Sequence, residues 1–226
     1  MKQLLVLLAS LCIGHAVQKD LSEKVFTFPV AGHSANVKLV PVGEAPLTAL
    51  TMCMRFFSTH TGSQSLFSMA LPSNPDAFFL FKPSLGVYRL HINGEPLDIK
   101  GLPDELNEWN SVCWTWSSNN GLTTLWVNRK RSARKALGAN FSFRGRLSII
   151  LGQDQDSYGG MFDASQAFVG DITDVHLWSS VLTPCEIRSF MDGGLFTSGN
   201  LLNWKNLQYS TSGRVHEETS DFGQMC

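Results

Sequence analysis

The feature that most constrains the fold is a series of short apolar and β-branched runs, each ended by turn-forming residues. The clearest runs cover residues 50–57, 65–69, 77–81, 87–92, 122–127, 147–151 and 170–178. The pair Asn93-Gly94 follows one of them and is a strong signal for a type I′ hairpin turn. Many short strands at this spacing predict an all-β sandwich of two antiparallel sheets.

One segment has the pattern of a helix instead. Thr183 is a suitable capping residue, Pro184 suits the first helical position, and Glu186 completes a capping box. Apolar residues then recur at helical spacing before a glycine pair, namely Ile187, Phe190, Met191 and Gly193-Gly194. We therefore expect one helix of about ten residues on one face of the sandwich.

The N-terminus has the pattern of a secretory signal peptide. Lys2 precedes the apolar run 4–8, and the small residues Gly14 and Ala16 mark a plausible cleavage site. This assignment makes residues 1–16 the signal peptide and residues 17–226 one extracellular domain. No later stretch is long and apolar enough to predict a transmembrane anchor.

The cysteines form an even set once Cys12 is removed with the signal peptide. Cys53, Cys113, Cys185 and Cys226 allow three pairings in an oxidising compartment, and their spacing alone does not select one. Cys53 and Cys113 lie in predicted strand interiors, which commonly pair. Cys185–Cys226 could fix the C-terminal tail, or Cys226 could bond to another chain.

The stretch 154–166, called the acidic loop below, is rich in side-chain oxygens. It contains three carboxylates and two carboxamides, from Asp154, Gln155, Asp156, Asp163 and Gln166. Calcium accepts six to eight such oxygens at loose geometry, so calcium is the first hypothesis and a solvated acidic turn is the alternative. The spacing excludes an EF-hand, because Tyr158 and Ser165 would occupy positions five and twelve.

Two other polar motifs stand apart from this loop. Asn74-Pro75-Asp76 is a second oxygen-rich turn, which contributes to a cation site only if the fold brings it to the acidic loop. Asn140-Phe141-Ser142 is an N-glycosylation sequon in a chain predicted to be secreted.

The charge pattern limits the classes of partner. The formal net charge is −1 and charged residues make up 16% of the chain, which argues against nucleic acid as the main partner. The run 129–135 nevertheless contains five cations. A solvated turn that protects a strand edge is the favoured interpretation, with binding of polyanions such as sulfated glycans as the alternative.

Catalytic motifs are missing from the sequence. It contains no Gly-x-Ser-x-Gly, no His-Glu-x-x-His and no Cys/His cluster with zinc spacing. A glycoside hydrolase with paired carboxylates is a rival hypothesis, but these carboxylates are more readily explained as cation ligands. We therefore do not expect an enzyme.

The segment around Cys113 resembles the signature of the short pentraxin family, His-x-Cys-x-Ser/Thr-Trp-x-Ser/Thr. Cys113, Thr115, Trp116 and Ser118 fit it, and Ser111 stands where the pattern has histidine. Other similar segments are 26–29, 148–153, 169–172 and 202–204, so the resemblance covers essentially the whole mature chain.

The resemblance implies a lectin-like jelly roll, a Cys53–Cys113 disulfide and a cyclic, usually pentameric, homo-oligomer. It also implies two adjacent calcium ions that bind phosphocholine or phosphoethanolamine head groups. The ligands carried over to this chain are Asp76, Asp154, the carbonyl of Gln155, Asp156, Asp163 and Gln166.

The resemblance places Phe81 in an apolar pocket beside the calcium ions. Pro96, with Glu95 next to it, stands where the family has the glutamate that offsets the charge of choline. The predicted function is therefore a secreted, calcium-dependent pattern-recognition protein of innate immunity and the acute phase, which binds phosphate-bearing ligands. The resemblance also implies complement components as partners. A calcium-dependent lectin that uses the same site is the alternative.

Overall fold

A computed structural model describes residues 18–43 and 46–222. The predicted signal peptide and Cys226 lie outside these residues. The strands in chain order are β1 Lys24–Phe28, β2 Asn36–Val40, β3 Ala49–Phe57, β4 Gln64–Leu71, β5 Asn74–Ser84, β6 Val87–Ile92, β7 Glu95–Lys100, β8 Trp109–Ser117, β9 Leu122–Val127, β10 Lys130–Arg131, β11 Lys135–Ala136, β12 Ser148–Leu151, β13 Gly170–Trp178, β14 Gln208–Ser212 and β15 His216–Thr219. The helix α1 spans Pro184–Met191, and 3₁₀ turns cover Ala164–Gln166 and Trp204–Asn206.

The strands form two antiparallel sheets, as the sequence predicts. The eight-stranded sheet has the order β10-β9-β8-β3-β13-β1-β15, and β11 also pairs with β9. The seven-stranded sheet has the order β14-β2-β12-β4-β5-β6-β7. This lectin-like sandwich confirms the predicted fold class.

The core lies between the sheets and is rich in aromatic rings. Phe78 of β5 stacks on Trp114 of β8 across the sandwich, with ring centroids 3.7 Å apart. Side chains alternate along each strand, so Tyr88, Leu90 and Ile92 of β6 are buried in the core. Their neighbours in β6 therefore face outward.

The predicted local signals are confirmed. Asn93 and Gly94 join β6 to β7, and both have positive φ, as a type I′ turn requires. Thr183 and Glu186 form a reciprocal capping box at the start of α1. The helix has eight residues, because the chain turns away at Asp192 and Gly193.

Helix α1 packs on the outer side of the eight-stranded sheet. This outer side is called the helix face below. Its side chains Ile187 and Phe190 form a second apolar cluster with Trp178 and with the cystine of β3 and β8. That cystine joins Cys53 to Cys113 at directly paired positions and confirms this disulfide. Cys185 is exposed near the start of α1 and is a free thiol in the described part of the chain.

The basic run lies at the edge of the eight-stranded sheet. Its residues form β10 and β11 beside β9, and its five cations are exposed. This is the placement expected of charges that protect a strand edge. Asn140 is exposed in the following turn, so the sequon is accessible and its occupancy stays a prediction.

None of the described helices is long and apolar enough to cross a membrane.

Candidate metal and ligand site

The acidic loop connects β12 to β13 and lies on the outer side of the seven-stranded sheet, called the acidic-loop face below. Gln155 fixes this position, since its buried Nε2 donates to the carbonyl oxygens of Ser68 and Ser148, each at 3.1 Å. Its Oε1 accepts from the N–H of Gly159 at 2.9 Å. The side chain is therefore used structurally, which leaves only the main-chain carbonyl for the predicted ligand role.

Two buried oxygens in this loop lack a partner within the described residues. Asp154 is 6% exposed, and its Oδ1 accepts no hydrogen bond. The Oε1 of Gln166 is also buried and accepts no hydrogen bond. Because buried polar atoms nearly always have a partner, these two oxygens fit a site completed by a cation.

The second predicted segment does reach the acidic loop. Burial, followed by the charges of Asp76 and Asp156, raises the pKa of Asp154 to about 7, and Asp163 adds to this effect. Burial also raises the pKa of Asp76, with a further contribution from Asp156. The charges of Asp76, Asp156 and Asp163 therefore act on Asp154, which brings the segment at Asp76 within electrostatic range of the acidic loop.

Two of these carboxylates are more accessible. Asp156 and Asp163 are exposed. Asp163 caps the 3₁₀ turn Ala164–Gln166 by accepting from the N–H of Ser165 at 2.9 Å, and this hydrogen bond lowers its pKa. The turn that follows Asp163 also places Gln166, so one short element positions two predicted ligands.

The segment Asn74-Pro75-Asp76 differs from the predicted isolated turn, because it forms the first three residues of β5. The side chain of Asn74 accepts from the N–H of Asp76 at 2.9 Å and donates to Asn93 at 3.0 Å. Asn74 therefore holds the strand end in place, and Asp76 is the carboxylate that this segment contributes.

A row of largely buried aromatic rings lies beside Asp76 on the same face. Phe81 is 8% exposed, and its ring lies 5.5 Å from that of Phe79. Phe79 in turn lies 5.3 Å from the ring of His91. The structure therefore places the predicted pocket residue Phe81 at one end of a row of three rings.

His91 is a site residue that sequence reasoning missed. Its Nδ1 lies 4.0 Å from a carboxylate oxygen of Asp76 and has no hydrogen-bond partner in the described chain. Burial lowers the pKa of His91, while the charge of Asp76 opposes that change. Its outward position in the alternating strand β6 is the only signal that the sequence offers.

The position opposite His91 carries no acid. Pro96 pairs directly with His91, whereas Glu95 pairs with the inward-facing Ile92 at the end of the hairpin. Successive residues of a strand point to opposite faces, so Glu95 does not take the place of an acid at Pro96.

The acidic side chains alone do not form a closed site. Among residues 18–43 and 46–222, no three His, Cys, Asp or Glu side chains are already grouped around a metal position. The amide of Gln166 and the carbonyl of Gln155 are outside that count.

Comparisons with known proteins agree with the sequence resemblance. The model of the Pentaxin family matches residues 24–218. The chain is 40% identical to the serum amyloid P-component of Rattus norvegicus over 198 residues, which is 88% of this chain and 86% of that protein. It is 38% identical to the C-reactive protein of Sus scrofa over 213 residues, covering 94% of this chain and 95% of the relative.

A solved structure supports the fold separately. The native heptameric SAP-like pentraxin from Limulus polyphemus matches with a TM-score of 0.83 and 21% identity, over 91% of this chain and 99% of that one. At this identity the match is evidence for the fold alone.

Proposed function

Because the chain belongs to the pentaxin, or pentraxin, family, we propose that it is a secreted, calcium-dependent pattern-recognition protein for phosphate-bearing ligands. Pentraxins are non-enzymatic binding proteins, so the acidic loop is interpreted as a binding site. The ligand would be a phosphocholine-type or phosphoethanolamine-type head group on a microbe or a damaged membrane. The relatives named above are serum proteins, which supports an extracellular location.

The observation that carries the calcium proposal is the pair of buried oxygens without partners, Asp154 Oδ1 and Gln166 Oε1. Calcium accepts carboxylate, amide and carbonyl oxygens together at loose geometry. Two such ions would balance the charge of the four carboxylates among the proposed ligands. The residues that would hold them are Asp76, Asp154, the carbonyl of Gln155, Asp156, Asp163 and Gln166.

Bound calcium would supply a positive charge and open coordination positions for a phosphate oxygen. The chain itself would then decide what accompanies the phosphate. The rings of Phe81 and Phe79 lie near the site but are almost fully buried, and the strand position opposite His91 holds Pro96 rather than an acid. We therefore propose that phosphate dominates recognition and that selectivity for choline over ethanolamine is low.

We further propose that several protomers form a ring with all binding sites on one side. The two edges of the eight-stranded sheet differ in charge, since the basic run lies beside β9 and Glu217 and Glu218 lie in β15. Opposite edges of this kind suit a head-to-tail contact between copies. Each single site would bind weakly, and a ring would gain avidity through effective concentration.

Retention on immobilised phosphocholine and phosphoethanolamine, measured across a calcium titration, tests the proposal. Calcium-dependent retention on both resins, with elution by either free head group or by a chelator, is the expected result. Elution by sugars alone would favour the lectin alternative. Retention that does not change with calcium would overturn the proposal, and molar mass in solution would test the ring.

Single substitutions test the assigned loop. Asp156→Ala and Asp163→Ala should each weaken calcium-dependent retention by at least about tenfold, a loss of about 1.4 kcal/mol. Glu108→Ala is the matched control, because Glu108 is an exposed acid outside the acidic loop. If both loop variants bind like the control, the assignment of this loop is wrong.

A further inference from the structure

The tip of the acidic loop exposes two large apolar side chains next to the proposed phosphate site. Met161 is 74% exposed and Tyr158 is 37% exposed. Single exposed apolar residues are normal on protein surfaces, so exposure alone carries no argument. Here Tyr158 lies in one short turn and Met161 directly follows it, and both lie in the chain between the proposed ligands Asp156 and Asp163. We call Tyr158 and Met161 the apolar tip.

The turn that carries Tyr158 is fixed by hydrogen bonds. Ser157 and Gly160 exchange two main-chain hydrogen bonds, from Ser157 N at 3.2 Å and from Gly160 N at 3.0 Å, and so close a tight turn. The buried Gln155 fixes this turn to the sheet through Gly159. These hydrogen bonds fix the backbone around Tyr158 and end at Gly160, directly before Met161.

The backbone of Met161 is itself unfavourable for such a residue. Its φ is 59°, in the left-handed region that favours glycine and asparagine. Of the eight non-glycine residues with positive φ in the described chain, Met161 is the one hydrophobic residue. An exposed apolar side chain at a strained position gains nothing from the protein interior, which favours a contact outside the protein.

Cations lie beside Tyr158 of the apolar tip. Lys38 of β2 and Arg146 before β12 are exposed, and both line one open groove together with Tyr158. Apolar and aromatic side chains next to lysine and arginine form the usual composition of a surface that lies in the headgroup region of a bilayer. Tyrosine suits this region because its ring is apolar and its hydroxyl is polar.

We propose that the apolar tip enters the headgroup region of a phospholipid bilayer while the acidic loop binds the phosphate of a lipid headgroup. Lys38 and Arg146 contact the phosphates of neighbouring lipids. This inference rests on the proposed function, and it deepens it by making a lipid bilayer, rather than a free headgroup or a glycan, the preferred target. The partner is identified by its chemistry, an apolar layer beneath a dense array of phosphates.

The test compares the same headgroup on a resin and on a vesicle. Wild-type protein and Met161→Gln are measured in calcium against immobilised phosphoethanolamine and against vesicles of phosphatidylethanolamine, phosphatidylcholine and a minority of phosphatidylglycerol. Met161→Gln keeps the side-chain length and the backbone strain, so retention on the resin should stay unchanged. Its affinity for vesicles should fall by about tenfold, because the polar side chain gains nothing from the apolar layer.

Leu195→Gln is the matched control. Leu195 is fully exposed and follows α1, next to Phe196 in the apolar cluster of the helix face. This variant should bind both resin and vesicles like the wild type. Equal loss of vesicle binding in Leu195→Gln and Met161→Gln would overturn the inference, since general surface hydrophobicity would then explain the effect.

A second readout does not depend on affinity. Met161→Trp should show a blue-shifted emission component on vesicles and stronger quenching by brominated lipids than the wild type. If the vesicle-bound variant shows no such difference from the wild type, the proposed entry of the apolar tip into the bilayer is wrong. Wild-type protein that binds the resin but not vesicles would also overturn it and leave the proposed function intact. Failure of calcium-dependent binding to the resin would refute the proposed function first.

Discussion

The helix face and the acidic-loop face each bury a charged side chain, and the two side chains differ in whether the protein supplies their hydrogen-bond partners. Arg55 on the helix face is 1% exposed and Asp154 on the acidic-loop face is 6% exposed. Arg55 is surrounded by protein partners, whereas an oxygen of Asp154 has none in the described chain. A buried charge that the protein satisfies by itself is structural, and one that it leaves unsatisfied indicates an external partner.

Arg55 joins three parts of the helix face. Its Nε donates to Asp174 at 3.0 Å, and its other nitrogens donate to Ser111 and to the carbonyl oxygens of Phe190 and Met191. Those carbonyls belong to the last turn of α1, where the helix dipole favours a cation. Arg55 therefore fixes the C-terminal end of α1 to strands β3, β8 and β13.

The largest expected effect is the loss of stability in Arg55→Met. The substitution removes the buried cation that pairs with Asp174 and donates to the helix carbonyls, so the free energy of unfolding should fall by about 3–5 kcal/mol. Urea unfolding followed by tryptophan fluorescence measures this change. The control Arg129→Met removes only an exposed ion pair with Asp192 and should cost at most about 1 kcal/mol. Equal effects of the two variants would mean that the buried arginine is not structural.

The next largest effect compares two glutamines of the acidic loop. Gln155→Leu removes donors and an acceptor from Ser68, Ser148 and Gly159, and should cost about 2–3 kcal/mol of unfolding free energy. Gln166→Leu removes an oxygen without a partner, so it should leave calcium-free stability nearly unchanged and weaken calcium binding. Unfolding in the presence of a chelator, followed by calcium titration, separates the two. The reverse order of stability would contradict the distinction between structural and ligand oxygens.

Asp154→Asn should stabilise the calcium-free protein. The pKa of Asp154 is raised in the folded state. Between about pH 4 and pH 7 the folded protein therefore keeps a proton that the unfolded chain has already released. Stability of the wild type should therefore fall as the pH rises through that window, and the variant should lack this decrease. At about pH 8 we expect a gain of about 2 kcal/mol with a chelator present.

Calcium should reverse the order of stability of the wild type and Asp154→Asn. Saturating calcium should stabilise the wild type, by about 2.7 kcal/mol at a hundred times the dissociation constant, and should have little effect on Asp154→Asn. Thermal unfolding with and without calcium measures both effects. A variant that is less stable than the wild type in chelator would show that Asp154 has a structural partner after all.

Local signals account for most of what the sequence predicted correctly. The period of two in β6, the Asn93-Gly94 turn and the capping box at Thr183 each depend on neighbours in the chain. The Cys53–Cys113 disulfide is different, because spacing left three pairings open and the family resemblance selected one.

Contacts that depend on the register between strands could not be predicted from the sequence. His91 gains its role from Asp76, which lies on the neighbouring strand, and no local pattern marks that contact. Arg55 stands inside an apolar run and gives no indication of the helix carbonyls that it binds. Asn74 was predicted as part of an oxygen-rich turn, but it begins β5, where it pairs with Leu71 of β4 and donates to Asn93.

The smallest expected effect tests whether the two faces are independent. Thr183→Ala removes the cap that accepts from Glu186 N and contacts the Glu186 carboxylate, which should cost about 1 kcal/mol of unfolding free energy. Thr183→Ser keeps the hydroxyl and should behave like the wild type. Because α1 packs against the eight-stranded sheet and the acidic loop lies on the seven-stranded sheet, calcium-dependent retention on phosphoethanolamine should be the same in all three proteins. A change in retention that tracks the loss of the cap would show that α1 and the acidic loop are coupled through the core, and the contrast between a structural face and a binding face would no longer hold.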